Sequence, residues 1–201
     1  QGATANLNPR KMSWTGDSWD EVEGQGAEVA AAVHRACDRA VSLNTDTINT
    51  QQSVCWLPLM PSRGYNPQVR SFMPESVRTD EEIQSAIRAA FPWHAEIETR
   101  QDGIYSPVYV GTLRLGDWAL ATLATEPFAE SGLAIKAASP AKITFVAGYS
   151  NGCNSYLPVQ SVYEEGGYEI ETAALFYGLP SGFMVGGAEI VTEMAVELLR
   201  L

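Results

Sequence analysis

Residues 118–149 read WALATLATEPFAESGLAIKAASPAKITFVAGY, and this stretch decides the fold class. Trp118 to Thr125 is apolar and β-branched and reads as a strand. Glu126-Pro127 follows, with the proline suited to the first helical position, where a backbone N–H is not needed. Phe128 to Ala138, carrying Leu133 and Ile135, then reads as helix, and Lys142 to Tyr149 as a buried strand. Strand, crossover helix and parallel strand in one sheet form a right-handed unit whose strand C-termini open on the same edge. The expectation is an α/β fold: a mixed sheet with helices on both faces.

The flanking sequence extends this unit. Tyr105 to Leu115 and Trp118 to Thr125 surround Gly116-Asp117, the pattern of a hairpin about a two-residue turn. Ser53 to Leu59 reads as a further strand, and the Pro-, Arg- and Gly-rich stretch from Pro58 to Pro74 as a surface loop. Residues 21–42 set Val29, Val33, Cys37, Ala40 and Val41 on one helical stripe, with Glu28, Arg35, Asp38 and Arg39 opposite. Thr79-Asp80-Glu81-Glu82 has the form of a capping box. It opens a second helix carrying Ile83, Ala86, Ile87 and Ala90, which stops before Pro92. A short helical turn is expected at Val159 to Glu165, and Ile190, Met194 and Leu198 line a final helix. No repeat, low-complexity linker or composition break interrupts residues 1–201, which read as one domain or a portion of one.

Bulk properties narrow the function. A hydrophobic share of 45% is enough for a sizeable core. The formal charge of −11, from 24 acidic and 13 basic residues, repels a nucleic-acid backbone, so DNA and RNA are poor partners. The richest apolar windows, Trp118 to Leu123 and Ile143 to Ala147, are far shorter than a membrane helix needs. Cys37, Cys55 and Cys153 show no CxxC pattern, which leaves one bridge plus a thiol, or three thiols, equally open. The chain opens at Gln1 without Met, basic n-region or apolar h-region, so we expect that processing or truncation has removed a preceding segment.

Topology also nominates a site. Glu126 ends the first strand of the unit, while Asn151-Gly152-Cys153-Asn154-Ser155-Tyr156 ends the second, so both belong to one sheet edge, where ligands of open α/β sheets gather. A helix beginning at Pro127 would place Glu126 at its cap, with the dipole favouring an ionised carboxylate, as a metal ligand or an anion-pairing group requires. The plainer readings stand beside this one. Glu before Pro is an ordinary cap, buried tyrosines pack and hydrogen-bond, and Asn, Gly and Ser make tight turns.

At this point a family resemblance enters. Gly148-Tyr149-Ser150-Asn151-Gly152-Cys153-Asn154-Ser155-Tyr156-Leu157-Pro158, followed by Tyr163-Glu164-Glu165-Gly166-Gly167-Tyr168-Glu169, resembles a pattern of the neutral/alkaline (non-lysosomal) ceramidases. That pattern is Asn, a Gly- or Tyr-containing turn, Tyr, a short spacer and Tyr-Glu. Thr125-Glu126-Pro127-Phe128 through Gly132 is similar to the family's Gly-Glu-x-x-x-x-x-Gly segment. Gln1-Gly2-Ala3-Thr4-Ala5-Asn6-Leu7-Asn8-Pro9 resembles its Gln-Gly-x-x-Gly-Asp-x-Asn-Pro turn. Order and spacing agree across the three blocks, although Thr45 to Gly103 contributes little. The chain departs from the pattern at Ala5-Asn6, where Gly-Asp is common, and at Thr125, where Gly often precedes the Glu.

The resemblance implies the C-terminal portion of a single neutral ceramidase-like domain, and a Zn2+-dependent hydrolysis of the amide in an N-acyl sphingosine or related N-acyl lipid. It implies Glu126 and Tyr156 as zinc ligands, with Tyr156 also catalytic as an oxyanion donor. Asn8, Asn151 and Cys153 are candidate substrate contacts, and a packed thiol is the alternative for Cys153. The family's two histidine ligands would precede Gln1, so the implied partner is an N-terminal portion of the same precursor, or a second chain, carrying them. His34 and His94 match neither and read as structural or surface residues. Trp93, Phe128, Phe176, Tyr177 and Phe183 are candidates for an acyl groove or for plain core. Secretion or a periplasmic location, and a homo-oligomer, complete the implied picture. Two other readings are a noncatalytic structural or assembly unit on the same fold, and a different hydrolase, such as an aminopeptidase, on a similar sheet.

Overall fold

The computed structural model describes residues 2–3, 18–61, 79–90 and 96–201. In chain order these form α1 (Trp19–Asp38), β1 (Ile48–Pro58), α2 (Asp80–Ala90), β2 (Glu98–Arg100), β3 (Gly103–Leu115), β4 (Trp118–Leu123), β5 (Glu126–Pro127), α3 (Ala129–Ala138), β6 (Ile143–Ala147) and β7 (Tyr156–Leu157). A 3-10 turn (Gln160–Val162), the short helices α4 (Tyr168–Glu171) and α5 (Ala173–Phe176), and α6 (Gly187–Arg200) follow.

Four strands lie side by side in the order β1, β3, β4, β6, with β2 added to β3. The β1–β3 and β3–β4 pairs are antiparallel and β4–β6 is parallel, so the sheet is mixed and the class is α/β. The hairpin closes at Leu115 opposite Trp118. Gly116 takes φ 53° there, and a Cβ on it would lie 2.2 Å from the Asn44 carbonyl oxygen, so the turn requires glycine. β1 starts at Ile48 rather than at Ser53, because β3 is long enough to pair with the polar Asn49 to Gln52 segment.

Alternation along the strands sends Cys55, Leu57, Val108, Val110, Ala119, Ala121, Leu123 and Val146 to one face. They meet Ile135 of α3 and Val191, Ala195, Leu198 and Leu199 of α6 in one buried cluster. The final helix forms as expected, with Leu198 buried and Met194 packed against the core. Its buried stripe runs Ala188, Val191, Ala195, Leu198, while Ile190 is exposed. β6 also alternates instead of being buried on both sides, with Phe145 half exposed against Trp118 at a ring separation of 5.9 Å. Helices were expected on both faces of the sheet. Among the described residues, α3 and α6 cover this one, and Ile48, Val54, Tyr109, Ile143 and Phe145 stay exposed on the other.

Two helices confirm local signals more than packing. Thr79 and Glu82 exchange capping-box bonds: Glu82 N–H donates to Thr79 Oγ1 at 3.2 Å and Thr79 N–H to Glu82 Oε2 at 2.9 Å. α1 is capped by Ser18 but buries none of its residues, and its stripe residues Val29 and Val33 are exposed. No helix among the described residues is long and apolar enough to cross a membrane. Most of the expected loop between Pro58 and Pro74 lies outside the described residues, as do Asn8, Trp93 and His94.

Candidate active site

β4 ends at Leu123, and the chain passes through Ala124-Thr125 into β5, which leaves the main sheet and pairs in parallel with β7. The register sets Glu126 opposite Tyr156 and Pro127 opposite Leu157. Four backbone contacts hold the two segments together. Glu126 N–H donates to Ser155 O at 2.9 Å, Asn154 N–H to Ala124 O at 3.1 Å, Tyr149 N–H to Thr125 O at 3.0 Å and Ser150 N–H to Leu123 O at 3.2 Å. The Thr125 hydroxyl also donates to Ser155 O. Parallel pairing of β4 with β6 delivers both strand ends to one edge, and these bonds convert that proximity into register.

Glu126 is not a helix cap. Phe128 is the N-cap residue of α3 and Pro127 belongs to β5, so the expected helix start lies two residues too early. Pairing with β7 outcompetes the proline's preference for a helix N-terminus. The 149–155 loop carries unusual backbone: φ is 54° at Tyr149, 64° at Asn151 and 103° at Ser155. Such values cost energy for residues with a Cβ and persist where surrounding bonds over-determine them. Gly148 lets the loop pass close over β5, since a Cβ there would sit 2.6 Å from Pro127 Cδ.

The Glu126 side chain is buried, 4% exposed, inside a ring of phenols. Tyr177 donates its hydroxyl to Glu126 Oε1. Tyr156 is the register partner of Glu126, and the Glu126 charge acts on the Tyr149 and Tyr156 phenols as well. Tyr156 packs edge-on against Tyr168 and Tyr177, with ring centroids 5.8 and 6.4 Å apart. Burial pushes the Tyr149, Tyr156 and Tyr177 phenols well above the ordinary tyrosine value, and the Glu126 charge adds to the shift, so each keeps its proton at neutral pH. Burial likewise raises the Cys153 thiol.

The other candidates divide. Cys153 faces this cluster. Asn151 is exposed and lines a different concavity over β1 and β3, with Gln52, Val54, Tyr109 and Gly111, that includes no member of the phenol ring. Asn154 braces the loop by donating to Pro107 O at 2.5 Å. Of the groove candidates, Phe128 and Phe183 are core residues, 4% and 1% exposed, and not groove lining. His34 is exposed on α1. The cysteines are unpaired. The described piece of the first motif block lies against the second, where a Cβ on Gly132 would come 2.6 Å from Ala3 Cβ.

The fold is ceramidase-like. A crystal structure of neutral ceramidase from Pseudomonas aeruginosa superimposes with a TM-score of 0.54 at 16% sequence identity, over 96% of this chain and 34% of that one. At that identity the likeness speaks to fold alone, and this chain spans about a third of the ceramidase's length. No family model and no curated protein sequence matches the chain.

Zinc sites are built from His, Cys, Asp and Glu, usually three or four together. Among the described residues no group of three or more such side chains gathers. The phenol ring offers one buried carboxylate, Glu126, beside Tyr156, fewer than the ligands a zinc site uses. Sequence reasoning singled out Glu126, Tyr156 and Cys153 but missed Tyr149 as a site residue and placed Tyr177 only among groove or core aromatics. The one signal for Tyr177 was the Tyr177-Gly178 pair, a helix end with glycine in the left-handed region at φ 78°.

Proposed function

We propose that this chain is the C-terminal portion of a neutral ceramidase-like amidohydrolase that cleaves the amide of an N-acyl sphingosine or related N-acyl lipid. The observation that carries this reading is the Glu126–Tyr156 register pair at the joined ends of β4 and β6, within a fold like that of a neutral ceramidase. Glu126 and Tyr156 would hold zinc together with two histidines on an N-terminal portion or a second chain. The ion, when bound, supplies Lewis acidity that activates water and polarises a carbonyl. Tyr156 keeps a proton at neutral pH and can donate a hydrogen bond to the oxygen that gains charge as the amide is attacked. Glu126, enclosed by the phenols, supplies the carboxylate oxygens that a cation requires.

The test uses this chain with whatever histidine-bearing portion co-purifies, identified by intact mass. Stoichiometric zinc, hydrolysis of a fluorescent ceramide in preference to peptide amides, and loss of both on Glu126→Gln are the expected results. A metal-free assembly without amidase activity sinks the reading. One observation favours a second reading as a noncatalytic assembly unit: the Tyr177 hydroxyl already satisfies Glu126 Oε1. In that case Glu126→Gln leaves metal content unchanged and weakens only stability.

A further inference from the structure

We propose that Tyr177 is a positioning residue for Glu126, acting through the hydrogen bond that its hydroxyl donates to the carboxylate; the proposal rests on the hydrolase reading and deepens it. A phenol has one proton to donate. Tyr177 gives it to Glu126 Oε1.

What sets Tyr177 apart from the other phenols is its anchorage. Tyr149 and Tyr156 reach Glu126 from the 149–155 loop and from β7, the segments that pair with β5 itself. Tyr177 comes from the end of α5, where its N–H donates to Ala174 O at 3.1 Å. Ala173, Ala174 and Leu175 of that helix are buried, and Leu179 N–H returns to Ala174 O at 3.1 Å. The carboxylate is therefore gripped from a second, independently seated element. A glutamate side chain has several rotatable bonds, and a carboxylate that must meet a reacting centre works only if partners outside that centre hold its orientation.

Two measurements on the chain itself test the hydrogen bond. The infrared carboxylate stretch of isotopically labelled glutamate is compared between wild type and Tyr177→Phe, with Glu126→Gln assigning the Glu126 band. A shifted Glu126 band with unchanged circular dichroism is expected, and an unshifted band overturns the proposal. If Tyr177→Phe does not fold, the phenol Raman doublet decides from the donor's side: its strong-donor signature should weaken in Glu126→Gln, and its retention overturns the proposal. In the assembly with the histidine-bearing portion, Tyr177→Phe is expected to lower kcat about 10- to 100-fold with KM nearly unchanged. An unchanged kcat overturns the positioning role. Absence of amide hydrolysis by wild type counts against the hydrolase reading instead, while the spectroscopic arm still decides whether Tyr177 holds Glu126.

Discussion

Phenols packed around one carboxylate leave a signature in alkali. Burial raises Tyr149, Tyr156, Tyr163 and Tyr177 above the ordinary value of 10.0, with Glu126 adding to three of them and Glu189 to Tyr163. Below that value folded and unfolded phenols both keep their protons, and their contribution to stability is fully present. Above it the unfolded chain releases protons that the folded chain retains, so stability falls as pH rises toward the raised folded values. Urea unfolding followed through the alkaline range should show the midpoint declining from about pH 10 upward, with a shallower decline in Tyr163→Phe. A spectrophotometric titration in which all eight tyrosines of the folded chain ionise together near 10 would contradict the buried cluster. At this scale the Glu126–Tyr156 meeting was legible, because crossover topology alone fixes which strand ends share an edge. Tyr149 and Tyr177 were not, because no period or motif spacing says which aromatic ring turns its hydroxyl toward a distant carboxylate.

At the scale of elements, local chemistry and long-range pairing carry different weights. The Thr79–Glu82 box satisfies two orphan N–H groups at the start of α2 without help from the rest of the fold. Thr79→Ala should cost about 1 kcal/mol, read as faster amide hydrogen exchange confined to the first turn of α2; no change there would show that packing alone holds the helix start. β5 is the contrary case. Glu126-Pro127 has the composition of a helix entry, yet it lies in a strand because β7 offers a parallel partner and α3 begins at Ala129 instead. The exposure of Ile190 in α6 was missed for a related reason. Ile190 and Val191 are both apolar, and only the position of β3 and α3 decides which of them turns inward.

The whole molecule has one deeply covered sheet face and one face that is open among the described residues, and mutations should report the difference. Phe183 is 1% exposed and bridges its strand-like segment to Leu59, so Phe183→Ala should lose about 3–5 kcal/mol. Phe145 is 53% exposed on the open face, so Phe145→Ala in this chain should lose roughly 1 kcal/mol or less. Equilibrium urea unfolding of both variants checks the contrast, and similar losses would mean that the open face is covered in solution.

Residue order alone determined the α/β class, the hairpin, the capped helices and the edge on which Glu126 and Tyr156 meet. These follow from backbone sterics, side-chain period and the handedness of a crossover, which act over short stretches of chain. Tertiary structure decided which helix face is buried, that Glu126 joins a strand and not a helix cap, and that Tyr149 and Tyr177 close around it. Those outcomes depend on which distant surfaces compete for the same segment, and that competition is settled only when the sheet and its helices are packed together.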